Sequence, residues 1–111
     1  MNDPAPGSIV SVYATFADAE EAQRIGRAMI EQRLAACVNI LGPCASIYRW
    51  QGRIEEANEV AALFKTTAGQ APLLIEAIGR LHSYDVPAAV AWPVEQASES
   101  YRNWVVANVD R

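Results

Sequence analysis

From Leu34 to Gly52 the chain reads LAACVNILGPCASIYRWQG, an almost uncharged run of strand-forming residues, broken once by Gly42-Pro43 and closed by an aromatic turn. A strand rises about 3.3 Å per residue, so the stretch from Ala35 to Trp50 would extend about 50 Å if straight. A compact chain of 111 residues has a radius of gyration near ~13 Å. The arm must therefore bend, overhang its own domain or lie against another subunit. Gly42-Pro43 is the place to bend, because proline removes a ladder donor and glycine permits a bulge. A second long run follows from Arg53 to Thr67, and Gln51-Gly52 between them can supply the positive φ of a tight turn. The pair reads as one long hairpin with exposed edges, and pairing with a sister subunit is one way natural proteins protect such edges.

A chain of 12.1 kDa buries roughly two thirds of its unfolded surface, enough for a core without disulfides or a structural metal. Residues 9–111 are read as a single domain and residues 1–8 as a flexible N-terminal segment. The net charge of -4 argues against a nucleic-acid partner, which would need a basic stripe to displace counterions. Met1 to Ser8 is polar and holds two prolines, unlike the apolar core of a signal peptide. No apolar run reaches the roughly 18 residues of a membrane helix. Cytoplasmic residence without membrane contact is the expectation. Cys37 and Cys44, about 23 Å apart along a straight strand, are too distant for the ~7 Å limit of a disulfide.

The first strand is expected from Ile9 to Phe16, uncharged and suited to burial on both faces. Asp18 caps a helix, with Glu21 completing a capping-box pattern and Ala22, Ile25, Met29 and Ile30 forming the inward stripe. Beyond the hairpin, Gln70-Ala71-Pro72 opens a second helix whose stripe is Leu74, Ile78 and Leu81. A loop from His82 to Pro87 leads to a short strand from Ala88 to about Val94. Ser98 then caps a third helix that would bury Tyr101, Trp104 and Val105. The order predicts an α+β, ferredoxin-like split βαβ fold with an extra C-terminal helix. Both crossover helices fall on one sheet face, and the other face is too apolar to meet water. That is a second argument for an oligomer.

LAACVNI at Leu34 to Ile40, SIYRWQGRIEE at Ser46 to Glu56, EVAALFKTT at Glu59 to Thr67, HSYDVP at His82 to Pro87, and Tyr101 with Trp104 together resemble the CutA family of divalent-cation tolerance proteins. The resemblance implies a ferredoxin-like subunit in a homotrimer whose long hairpins join edge to edge. It also implies a role in tolerance to copper and other divalent cations rather than an enzymatic reaction. In copper-binding bacterial members the ligands are a first-strand cysteine and two adjacent histidines. The matching positions here are Ala14, Leu81 and His82, so one of the three remains.

Soft donors suit copper, and the chain has one histidine, two cysteines and two methionines. His82 and Cys37 are therefore the candidate ligands for Cu(II) or another divalent cation, with no metal required for folding. The plainer readings are a histidine hydrogen-bonded at a helix end and a cysteine that simply packs. Glu55 and Glu56 point to opposite strand faces and suit a solvated edge. Trp50, Glu59, Lys65 and Tyr84 are the candidates for a small-ligand cleft between subunits, since aromatic walls with a few polar groups make such a pocket. Similarity of architecture to trimeric signalling proteins of the PII type supports that alternative by analogy. A passive assembly scaffold is the third reading. The lone histidine gives no ground to argue a Ser-His-Asp arrangement, and the dispersed glycines form no phosphate-binding loop.

Overall fold

The computed structural model describes residues 7–110. Of the expected flexible segment, residues 1–6 lie outside the described residues, as does residue 111, while Gly7 and Ser8 form a turn into the first strand. The elements in order are β1 (Ile9–Phe16), α1 (Ala19–Glu31), β2 (Cys37–Trp50), β3 (Arg53–Thr67), α2 (Ala71–Leu81), β4 (Ala89–Pro93) and α3 (Glu99–Ala107). The strands form one sheet in the order β2-β3-β1-β4, and each neighbouring pair is antiparallel. This is the split βαβ arrangement expected above.

Alternation along β1 sets the two faces. Val10, Val12, Ala14 and Phe16 turn toward α1 and α2 and pack with Phe64, Ile25, Met29, Leu74 and Ile78 in the main core. Burying one such side chain stabilises the fold by roughly 1.5–3 kcal/mol. Asp18 caps α1 as expected, accepting the Glu21 N–H at 2.8 Å. The reciprocal bond goes one residue further out, from the Ala17 N–H to Glu21 Oε1 at 3.0 Å.

Two expected stripe residues face solvent. Leu81 is exposed because the inward place at the end of α2 is taken by His82, whose ring stacks on Phe16 at 5.1 Å. Ala77 completes the buried stripe of α2 instead. Trp104 is also exposed, since inward positions spaced by four, Tyr101, Val105 and Val109, leave it on the rim of α3 beside the Tyr101 ring. The second sheet face is not wholly open either. Ile9, Ala36, Val105 and Val109 make a small core where α3 covers one end. That end is tied down by the Asp110 N–H donating to the Arg33 carbonyl and by the Arg33 side chain reaching Asp110 and the Ala107 carbonyl.

The long hairpin both bends and overhangs. A bulge interrupts the β2–β3 register between Ile40 and Gly42, where Gly42 takes φ 98, a region costly for any side chain with a Cβ. The turn at Gln51-Gly52 has φ 50 and φ 80, the paired positive values of a type I′ hairpin. β1 pairs with β3 only as far as Phe16↔Val60. From Cys44↔Glu59 to Trp50↔Arg53 the two arm strands pair with each other alone. The longest molecular dimension is accordingly 44 Å.

Candidate functional site

The root of the overhanging arm faces the loop that joins α2 to β4, and that loop is fixed by a buried polar network. Glu21 is buried near the start of α1; its Oε1 accepts the Ala17 N–H and its Oε2 the Ser83 N–H, each at 3.0 Å. Burial pushes the Glu21 carboxyl up, but these backbone donors outweigh it, leaving it below the usual carboxylate range. His82 bonds through both ring nitrogens. Nε2 lies 2.7 Å from the Thr15 carbonyl, which can only accept, so Nε2 carries the proton. Nδ1 then accepts the Tyr84 N–H at 3.1 Å. The imidazole is thus a neutral latch, stacked between Phe16 and Tyr84, that carries Tyr84 to the sheet.

Tyr84 meets Glu59 there. Glu59 stands opposite Cys44 at the root of the arm and is only 8% exposed. The phenol of Tyr84 is pushed up to about 12, first by burial and then by the nearby Glu59 carboxylate. It therefore stays a neutral donor at ordinary pH. Together with Thr15, Ser46 and Tyr48 these residues line a cleft of about 470 Å³. Through Tyr48 and Tyr84 it continues into a hollow of about 190 Å³ that adds Trp50, Asp85 and Val86. None of the ion pairs among the described residues involves Glu59. Cys44 lies beside this cleft, 3.7 Å from the Ser46 hydroxyl, and its neighbour Tyr13 is raised by burial and then by that thiol.

Of the cleft candidates, Glu59 and Tyr84 line the cleft together, Trp50 borders only the adjoining hollow, and Lys65 lines neither. Lys65 shares the sheet face of Glu59 but lies six residues further along β3, about 20 Å away, in one rung with Ser11 and Cys37. The two metal candidates are also separated. Cys37 sits under α3, its Sγ 3.4 Å from the Tyr101 hydroxyl. The Tyr101 phenol is pushed up to about 12 by burial and then by that contact. His82 reaches Thr15, four residues along β1 from the Cys37 rung, or about 13 Å, and taking a metal would cost it the bond to Thr15 or to Tyr84. Among the described residues no group of three or more His, Cys, Asp or Glu side chains is placed to share a metal. The residues present do not make a closed copper site within one chain.

Sequence reasoning missed Glu21, Thr15 and Ser46. Glu21 had a signal, its capping-box spacing, but that pattern speaks for the helix start and not for the second oxygen. Thr15 and Ser46 become neighbours only through strand register.

Comparison with known proteins gives a consistent result. The family model for the CutA1 divalent ion tolerance protein matches residues 10–108. Protein CutA of Mus musculus is 42% identical over 100 residues, covering 90% of this chain and 56% of that protein, so the chain spans little more than half of that relative's length. The divalent-cation tolerance protein CutA of Thermus thermophilus is 43% identical over 97 residues, covering 87% of this chain and 94% of that protein. The crystal structure of the Thermus protein superposes with a TM-score of 0.88 at 41% identity, covering 92% of this chain and 99% of that one. A CutA structure from Archaeoglobus fulgidus, described as a periplasmic divalent cation tolerance protein, gives 0.88 at 34% identity, with 92% and 99% covered.

Proposed function

This chain belongs to the CutA1 divalent ion tolerance family, and from that premise we propose that it serves divalent-cation tolerance as a homotrimer without catalytic activity. The observation that carries the assembly is the overhanging arm. Ile47 and Ile54, 71% and 67% exposed, lie on one of its faces, and Tyr48 and Trp50 project from the other. A solvated hairpin would show one apolar face at most. Beyond Val60 the outer edge of β3 has no partner strand among the described residues. Unpaired edges and apolar surface on both sides fit burial against copies of the same arm.

Light scattering at micromolar concentration tests this. The chain is expected at three times 12.1 kDa, and Ile54→Asp, which places a charge in the buried contact, is expected to lower the mass. A stable monomer of the unaltered chain refutes the assembly.

A cation role for this chain rests on the family. Any Cu(II) or other divalent ion held by His82 or Cys37 is bound weakly, because each donor already has a partner within the chain. The second reading, a ligand-sensing trimer, is favoured by one specific observation: the buried Glu59 lines a cleft walled by Tyr48 and Tyr84 and has no cationic partner among the described residues. A passive scaffold is what remains if the purified protein binds neither metal nor small molecules. The free thiols of Cys37 and Cys44 suit a reducing compartment, which supports cytoplasmic residence. No helix among the described residues is long and apolar enough to cross a membrane. Fractionation of the expressed chain checks the compartment, since the Archaeoglobus relative is described as periplasmic.

A further inference from the structure

We propose that the cleft between the arm and the 82–88 loop binds a primary ammonium compound carrying an apolar or aromatic body. The inference rests on the ligand-sensing reading above and names its ligand class. Glu59 supplies the charge: an 8% exposed carboxylate that lines the cleft and takes part in no ion pair of the described residues. Burying such a group without a counter-charge is costly, and a bound cation removes that cost. Tyr84 lines the same cleft as the carboxylate, and a carboxylate's two oxygens have acceptor capacity for more than one donor. The hydroxyls of Thr15 and Ser46, on the same wall, can accept the remaining N–H groups of an ammonium.

The walls decide between an organic and an inorganic cation. Divalent metals of the hard class take six or more oxygen ligands, and this cleft offers one carboxylate beside neutral phenols and hydroxyls. Tyr48 lines both the cleft and the hollow, and Trp50 the hollow; aromatic rings so placed attract a cation through the ring quadrupole and cover an apolar body. The cleft and its extension, about 470 and 190 Å³, are in the range of small-molecule sites. An anion is opposed by Glu59 in the cleft and by Asp85 in the hollow. A hollow of similar size beside Gln70 and Val109 holds one charged residue, Asp110, and that is already paired with Arg33.

The test is calorimetry on the full chain, with tryptophan fluorescence as a second signal. The probes are benzylamine, benzyl alcohol as its neutral counterpart, benzyltrimethylammonium as charge without N–H donors, and Mg2+. Benzylamine is expected to bind saturably, and both other organic probes at least about tenfold more weakly, the worth of one charge-assisted hydrogen bond. Glu59→Gln is expected to reduce benzylamine affinity by a similar factor. Tyr48→Leu, which removes the ring bordering both the cleft and the hollow, is expected to weaken it as well. Binding of benzyl alcohol as tight as that of benzylamine, unaffected by Glu59→Gln, overturns the ligand class while leaving a small-molecule cleft. Displacement of benzylamine by millimolar Mg2+ overturns it in favour of a metal. Silence with every probe removes the ligand-sensing reading itself.

Discussion

Glu21→Gln isolates the network that holds the cleft's loop in place. The carboxylate has two acceptor oxygens, and each takes a backbone N–H at 3.0 Å, from Ala17 and from Ser83. Glutamine fits the same space with one oxygen and one NH2. Turned to serve the Ala17 N–H, as a capping-box glutamine can, it sets its NH2 against the Ser83 N–H, donor to donor. One charge-assisted bond is lost, worth about 1.5–3 kcal/mol. Because the contact is only part-buried, water recovers some of this, and we expect about 2 kcal/mol. The change also has a pH signature. The folded-state carboxyl lies below its ordinary value, so its contribution is fully present above the unfolded pKa of about 4.3 and is lost as pH falls through the lower folded value. Protonated glutamic acid resembles glutamine, so the two proteins should converge in acid. Guanidinium unfolding, followed by circular dichroism at one fixed protein concentration because assembly is linked to stability, should show the gap at pH 7 and a smaller one at pH 3. A gap below about 0.5 kcal/mol at pH 7, or one of equal size at both pH values, refutes the reasoning.

Gly52→Ala forces a Cβ onto a residue at φ 80 with nothing within 4 Å of it, so only backbone strain is added and about 1–2 kcal/mol is expected. An unfolding midpoint equal to that of the parent contradicts the I′ turn. His82→Gln retains a side-chain amide toward Thr15 while removing the imidazole. It is expected to lower stability but to change Cu(II) affinity by less than about twofold, and a loss of tenfold or more would return His82 to the metal ligands.

Much of the fold was legible because it is written in local patterns. The β1 limits, the Asp18 and Ser98 caps, the Gln51-Gly52 turn and the Gly42 break each depend on a few adjacent residues whose conformational preferences do not need the rest of the chain. The misread positions, Leu81 and Trp104, are helix-end residues where periodicity leaves two choices and a neighbour decides. His82 took the inward place of one, and the inward line through Val105 and Val109 excluded the other. The candidate site was legible only as residue types. Trp50, Glu59 and Tyr84 stood out by chemistry, yet nothing in their spacing separated them from Lys65, which lies on the same strand face and far from the cleft.

The amino-acid order by itself determined the arm, its bend and its turn, because strand length is additive along the chain and a residue's φ preference is its own. Tertiary structure alone decided what that arm does at its root. The β3–β1 register sets Thr15 near Glu59, and the 82–88 loop, latched by Glu21 and His82, brings Tyr84 down onto both. Those contacts join β1, β3 and the loop before β4, and their free energies exist only once the long-range pairings have formed. The run from Leu34 to Gly52 could therefore announce an assembly device, and only the folded sheet shows the buried carboxylate beside it.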